Sequence, residues 1–112
     1  MKEITDFENF LNLDIRVGTI ISAENFPEAR NPAYILHIDF GGLGTLKSSA
    51  QITDLYKAKD LINQQVIAVV NFPKKQIGPI QSECLVLGIP DEQSNVVLLQ
   101  PKQLVKNGLT IA

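Results

Sequence analysis

The stretch that decides the fold is Gln65-Val66-Ile67-Ala68-Val69-Val70-Asn71-Phe72-Pro73-Lys74-Lys75-Gln76-Ile77-Gly78-Pro79-Ile80-Gln81-Ser82-Glu83-Cys84-Leu85-Val86-Leu87-Gly88-Ile89. Two apolar runs, Val66 to Val70 and Cys84 to Ile89, flank a polar middle with two prolines, a glycine and two lysines. Short runs rich in Val and Ile and bounded by turn residues read as strands. Neither run alternates, which predicts burial on both faces. Pro73 and Pro79 have no N–H to give a ladder, so the middle is not a buried strand. The reading is two core strands joined by a basic loop, Asn71 to Ser82. Loops held by a rigid scaffold are where binding residues concentrate.

Outward from this stretch the chain reads mostly as strands. Leu13, Ile15, Val17 and Thr19 alternate with Asp14, Arg16 and Gly18, giving a first strand with a bend or bulge expected at Gly18. Glu24 to Pro32 reads as a loop. In a second strand, Ala33 to Phe40, Tyr34, Leu36, Ile38 and Phe40 face one way and Ile35, His37 and Asp39 the other. Gly41 to Gly44 turns the chain into a third strand, Leu46 to Ala50. Ile52 to Ile62 reads as a short helix or helical turn before the Val66 strand. Asn95 to Leu99 is a further short strand, and Asn107-Gly108 is a hairpin-turn dipeptide before a last short strand. Residues 4 to 11 read as an amphipathic helix with Thr5 and Glu8 at capping-box spacing. The fold class is therefore mostly β. It is a five-stranded OB-fold barrel with a short N-terminal helix, a helical segment between strands three and four, and extra C-terminal strands. An SH3-like barrel is the nearest competitor on pattern.

A chain of 112 residues suits one domain spanning 1–112, with 45% apolar and 20% charged residues, an ordinary globular composition. No apolar run reaches the ~18 residues a membrane helix needs, so no membrane insertion is expected. One cysteine and the lack of a secretory apolar core fit a reducing cytoplasm. A net charge of −2 does not mark the whole molecule as a nucleic-acid binder. One Cys and one His cannot build a structural zinc site. Cys84 reads as a small buried hydrophobe. His37 would need a nucleophile in reach to act as a base, and Ser48 or Ser49 is the candidate by proximity. No constellation supports it, so no enzyme, catalytic residue, cofactor or metal is expected.

Polar residues cluster at Arg30 and Asn31, Lys47 to Ser49, Asn71 with Lys74 and Lys75, and Ser82-Glu83. In a barrel these loops and strand ends converge on one side, where Lys and Arg would meet phosphates. Phe26 in the first loop, and Phe72, Ile77 and Ile80 around the basic loop, add apolar contacts, a mixture suited to unfolded polypeptide segments. Phe7 and Phe10 on the helix, with Leu104 and Ile111 in the C-terminal segment, exceed what one small barrel needs to cover itself. They are the expected homodimer interface.

These residues sit in a set of motifs: Leu13-Asp14-Ile15-Arg16-Val17-Gly18-Thr19-Ile20, Phe26-Pro27-Glu28-Ala29-Arg30, Ile38-Asp39-Phe40-Gly41, Ser48-Ser49-Ala50-Gln51-Ile52-Thr53, Val69-Val70-Asn71-Phe72-Pro73 and Ser82 to Gly88. The set closely resembles the CsaA family, small bacterial and archaeal proteins described as protein-export chaperones. Their superfamily is the tRNA-binding domain found also in methionyl-tRNA synthetases and endothelial-monocyte-activating-polypeptide-like proteins. The resemblance implies an OB-fold homodimer that binds unfolded or precursor polypeptides, with tRNA as the inherited ligand of the superfamily. It also implies tRNA contacts at Ser48 or Ser49, Asn71, Lys74 with Lys75, and Ser82-Glu83, to which Arg30 adds a neighbouring cation. Cys84 and Leu85 replace a glycine and a methionine of the superfamily pattern, and Ala50 replaces a glycine.

Overall fold

The computed structural model describes residues 1–112 and is built on a five-stranded antiparallel sheet ordered β3-β2-β1-β4-β7. Its strands are β1 (Ile15–Asn25), β2 (Tyr34–Asp39), β3 (Thr45–Ala50), β4 (Gln65–Val69) and β7 (Leu85–Val86). Two hairpins stand off it: β5 (Lys75–Ile77) with β6 (Ile80–Ser82), and β8 (Gly88–Pro90) with β9 (Val96–Leu98). Helix α1 (Phe7–Leu11) precedes the barrel, and α2 (Ala58–Leu61) lies between β3 and β4, where the OB arrangement has its helix.

The period-two reading of β2 holds residue by residue. Tyr34, Leu36, Ile38 and Phe40 are buried, while Ile35, His37 and Asp39 are half-buried on the other face. Ile20, Leu36, Ile38, Phe40, Leu61 and Val66 are the largest apolar side chains sealed in the core. Burying one such side chain stabilises the fold by roughly 1.5–3 kcal/mol. β1 serves two neighbours in turn: Ile15 to Thr19 pair with β4, and Thr19 to Asn25 pair with β2. The register shifts between Ile20 and Ser22, a bulge that lets one long strand bend around the barrel.

Several expectations change. The irregularity in β1 is this bulge, beyond Gly18, which keeps its register with Val66, and β1 continues through Glu24 and Asn25, where the sequence predicts loop. Gly18 has a packing reason instead. A Cβ there would lie 2.6 Å from Ile38 Cγ2 and 2.8 Å from the Phe40 ring. Helix α1 starts only at Phe7, and its N-cap is Asp6 without a side-chain cap, so the Thr5–Glu8 box does not form. Only the second half of Ile52 to Ile62 is helical. The basic loop folds as the β5–β6 hairpin, with Pro73 and Pro79 outside its strands. The run Cys84 to Ile89 breaks at Leu87 into β7 and β8, which belong to different sheets. Leu85 and Ile89 are exposed, so the second run is not buried on both faces.

The last expected strand is a single bridge, Thr110 to Arg16. The C-terminal segment lies along the part of β1 that β2 does not reach. Gly108 N–H donates to Val17 C=O at 2.8 Å, Val17 N–H to Leu109 C=O at 3.1 Å, and Ile111 N–H to Ile15 C=O at 3.0 Å. The buried Gln65 amide clamps it, donating to Val105 C=O at 2.7 Å and to Asn107 Oδ1 at 3.0 Å.

Candidate polypeptide and nucleic-acid groove

The barrel closes between β3 and residues 82–84, and side chains make part of the closure. Glu83 N–H donates to Lys47 C=O at 2.8 Å, as in an ordinary ladder. The reciprocal donor, Lys47 N–H, goes to the Glu83 carboxylate at 2.9 Å, and Ser49 N–H goes to Ser82 Oγ at 3.0 Å. Below them, buried Ser48 donates to Cys84 C=O at 3.0 Å. The Lys47 N–H holds the Glu83 carboxyl below its ordinary pKa against the opposing cost of its burial, with Lys74 Nζ, 3.4 Å away, adding to the effect. Burial pushes the Cys84 thiol up to about 12.

A depressed carboxyl pKa stabilises the fold at pH values above its unfolded value, and that stability is lost as pH falls through the folded pKa. Glu83→Gln keeps an acceptor for Lys47 but not the charge. Its melting temperature is expected to fall below that of the unaltered chain at about pH 7, with the gap closing as pH falls through the folded pKa of Glu83. A gap that stays constant over that range would mean that the charge has no part in the closure.

After Cys84 the chain turns away from β3 to pair β7 with β4, at Ala68↔Val86 and Val69↔Leu85. The divergence leaves a groove of three connected hollows that share Leu85, which is 50% exposed. The largest, about 410 Å³, lies between the β1–β2 loop, β3 and the β5–β6 hairpin. Arg30, Asn31, Ser49, Gln51, Lys75 and Ile77 are among its walls, and no carboxylate lines it. One neighbour, about 180 Å³, has Phe72 and Pro73; the other, about 250 Å³, has Ile52, Val86 and Val96. The ion pairs of the chain are Arg16–Asp14 and Lys74–Glu83, so Arg30 and Lys75 bring unneutralised charge to the groove. The arrangement offers an apolar centre, two cations, neutral hydrogen-bonding groups and, at the Phe72 end, the Glu83 carboxylate that Lys74 pairs.

Residues 15–110 match the family described as "Putative tRNA binding domain". The crystal structure of chaperone CsaA from Bacillus anthracis str. Ames superposes with a TM-score of 0.93 at 54% identity, covering 98% of this chain and 100% of that one. The chain belongs to the CsaA family. The CsaA chaperone protein from Picrophilus torridus is similar at 47% identity and a TM-score of 0.92, covering 97% of this chain and 100% of its own. The methionine–tRNA ligase of Pyrococcus horikoshii is 36% identical over 110 residues. That match takes in 97% of this chain and 15% of the ligase, so the chain spans a small part of the curated relatives it matches.

In this CsaA-family chain Arg30, Ser49, Lys75, Ile77 and Ser82 meet around one hollow, as convergence of the loops predicted. Phe72 and Glu83 line the next. Ile80 pairs with Ile77 across the hairpin, and both are half-buried. Other expected contacts are placed differently. Ser48 is 1% exposed, because alternation along β3 turns it inward. Asn71 uses its side-chain amide to hold the entry to β1, accepting from Asp14 N–H at 2.9 Å and donating to Asn12 C=O at 2.8 Å. Phe26 is buried, its ring close to Gly78 at the tip of the hairpin, and it lines none of the three hollows. Lys74 is tied to Glu83, and Ser82 and Glu83 spend acceptors on β3.

Leu85, Gln51 and the closing role of Ser82-Glu83 were not read from sequence as site features. The one signal was Leu85 at the methionine position of the resembled pattern. His37 Nδ1 is 2.7 Å from Ser22 Oγ rather than beside Ser48 or Ser49, because the bulge brings Ser22 opposite it. Away from the groove, a hollow of about 460 Å³ includes Phe10, Leu13, Ile15 and Ile111. Phe7, ring-to-ring 5.8 Å from Phe10, is 71% exposed, and Leu104 is exposed outside the hollow. No helix is long and apolar enough to cross a membrane.

Proposed function

We propose that residues 1–112 form a single non-catalytic domain that holds unfolded or precursor polypeptides for export in the cytoplasm. The observation that carries this reading is the exposed Leu85 at the centre of a groove with apolar walls at both ends and unneutralised Arg30 and Lys75 between them. Such a surface takes apolar side chains with scattered acids and tolerates changes of sequence. A few buried side chains give micromolar affinity after ordering costs. The names of the CsaA relatives support it. The test is a titration of the protein with a reduced, unfolded client and with mixed tRNA at two salt concentrations. Client binding with little salt dependence is expected; no client binding at either concentration would refute it.

A second reading, a tRNA-binding module, is supported by the carboxylate-free hollow and by the family match. On that reading Arg30 and Lys75 are the phosphate contacts, while Lys74 is partly neutralised by Glu83. Arg30→Gln with Lys75→Gln should flatten the salt slope of tRNA affinity by up to about two units. Lys74→Gln alone should change it little. An equal effect of all three cations, read from binding isotherms across salt, would put the phosphates elsewhere on the hairpin.

The proposed assembly is a homodimer through α1 and the C-terminal segment, where Phe7, Leu11, Leu104 and Ile111 are exposed. An obligate interface would bury on the order of 2,000 Å² or more. Sedimentation equilibrium should give twice the chain mass at micromolar concentration. Phe7→Ser with Phe10→Ser should shift it to the monomer, and a monomeric unaltered chain would dismiss the interface.

A further inference from the structure

The groove contains an open sheet edge. Lys47 and Ser49 turn their backbone groups away from β2, as their bonds to Glu83 and Ser82 record. Antiparallel alternation therefore sends Ser49 C=O the same way. Two residues on, Gln51 N–H stands beyond the end of β3. Neither Ser49 C=O nor Gln51 N–H has a hydrogen-bond partner in the protein. The cause is the divergence described above: β7 leaves β3 for β4 after Cys84, and β6 reaches Ser49 only through the Ser82 hydroxyl, so no strand pairs its backbone with Ser49 C=O and Gln51 N–H. In its place is the hollow between Ser49 to Ile52 on one side and Leu85, Val86 and Val96 on the other.

We infer that this open edge, Ser49 C=O and Gln51 N–H, pairs with the backbone of an extended polypeptide that adds a short strand beside β3. Main-chain pairing supplies affinity without reading sequence, and alternate side chains reach the flanking walls. The occupant is a polypeptide because the edge requires one donor and one acceptor at strand spacing, which successive peptide groups provide. Phosphodiester linkages offer acceptors only, and the donors of a nucleic acid, on its bases and ribose hydroxyls, do not recur along its backbone at strand spacing. Leu85, Val86 and Val96 then meet apolar side chains, and Arg30 with Lys75 favours a segment that also carries acids. The inference rests on the polypeptide reading of the groove and adds how the chain is held.

The test uses the full chain and a blocked peptide containing valine and glutamate, with amide exchange followed at Gln51. Peptide binding should slow Gln51 exchange about tenfold or more. N-methylation along the peptide should weaken binding by about fivefold at alternate positions and leave the intervening ones nearly unchanged, as loss of one hydrogen bond predicts. Gln51→Pro, which removes the donor, should weaken binding by a similar factor. Because a proline there also constrains the backbone, the exchange and N-methyl measurements on the unaltered protein decide. Peptide binding with Gln51 exchange unchanged and N-methylation tolerated throughout would overturn the edge pairing and leave the groove reading standing. No peptide binding would overturn both, whether or not an oligouridylate binds in its place.

Discussion

Leu85→Asp is expected to lower affinity for an unfolded polypeptide by about 10- to 100-fold without loss of fold. Leu85 is half-exposed in the free protein and touches all three hollows, so its apolar surface awaits a partner. Covering it is worth up to roughly 1.5–3 kcal/mol, and each 1.4 kcal/mol is about a factor of ten. An aspartate forfeits that term and repels the acids that Arg30 and Lys75 attract. The strand itself should persist, because Leu85 contributes a backbone pair to Val69 and little buried side chain. Calorimetric titration against a reduced client, with thermal unfolding in parallel, reads both effects. Leu85→Ala separates the ligands: it should weaken polypeptide binding and leave tRNA binding nearly as it was. Client affinity unchanged in both variants would remove Leu85 from the site.

Gly18→Val should destabilise the chain by about 3 kcal/mol or more, a large part of the stability of a domain this size. The added Cβ meets Ile38 Cγ2 and the Phe40 ring inside normal contact distance. Both of those residues are 0% exposed, so neither has open space to move into. Gly42→Ala is the control, since nothing lies within 4 Å of its Cβ position. Urea unfolding should show a large fall in midpoint for the first and almost none for the second. Equal midpoints would mean that β1 slides past β2 at small cost.

The strand periods were legible because burial on one face forces alternation, as Tyr34, Leu36, Ile38 and Phe40 show. The convergence of Arg30, Ser49 and Lys75 followed from barrel topology once the strands were in place. What was not legible depends on register. The bulge between Ile20 and Ser22 sets Ser22 against His37, and no local pattern announces it. The apolar run after Cys84 looks continuous, but its residues divide between two sheets, and that division exposes Leu85. Ser82 and Glu83 look like surface polar residues. Their role emerges only when β3 lies beside them with two N–H groups to satisfy. Asn71 resembles a ligand contact until the positions of Asn12 and Asp14 are known.

The strap formed by residues 105–111 places a delay into the birth of the protein. Gly108 reaches back across 92 positions to Arg16, so part of β1 has no partner on that side until the chain has grown that far. At bacterial-like translation rates this is an interval of about 5–20 s during which a nascent chain carries a bare edge at Ile15 to Val17. Bare edges recruit other strands. A protein proposed to shelter unfinished chains is thus, for those seconds, an unfinished chain in need of shelter.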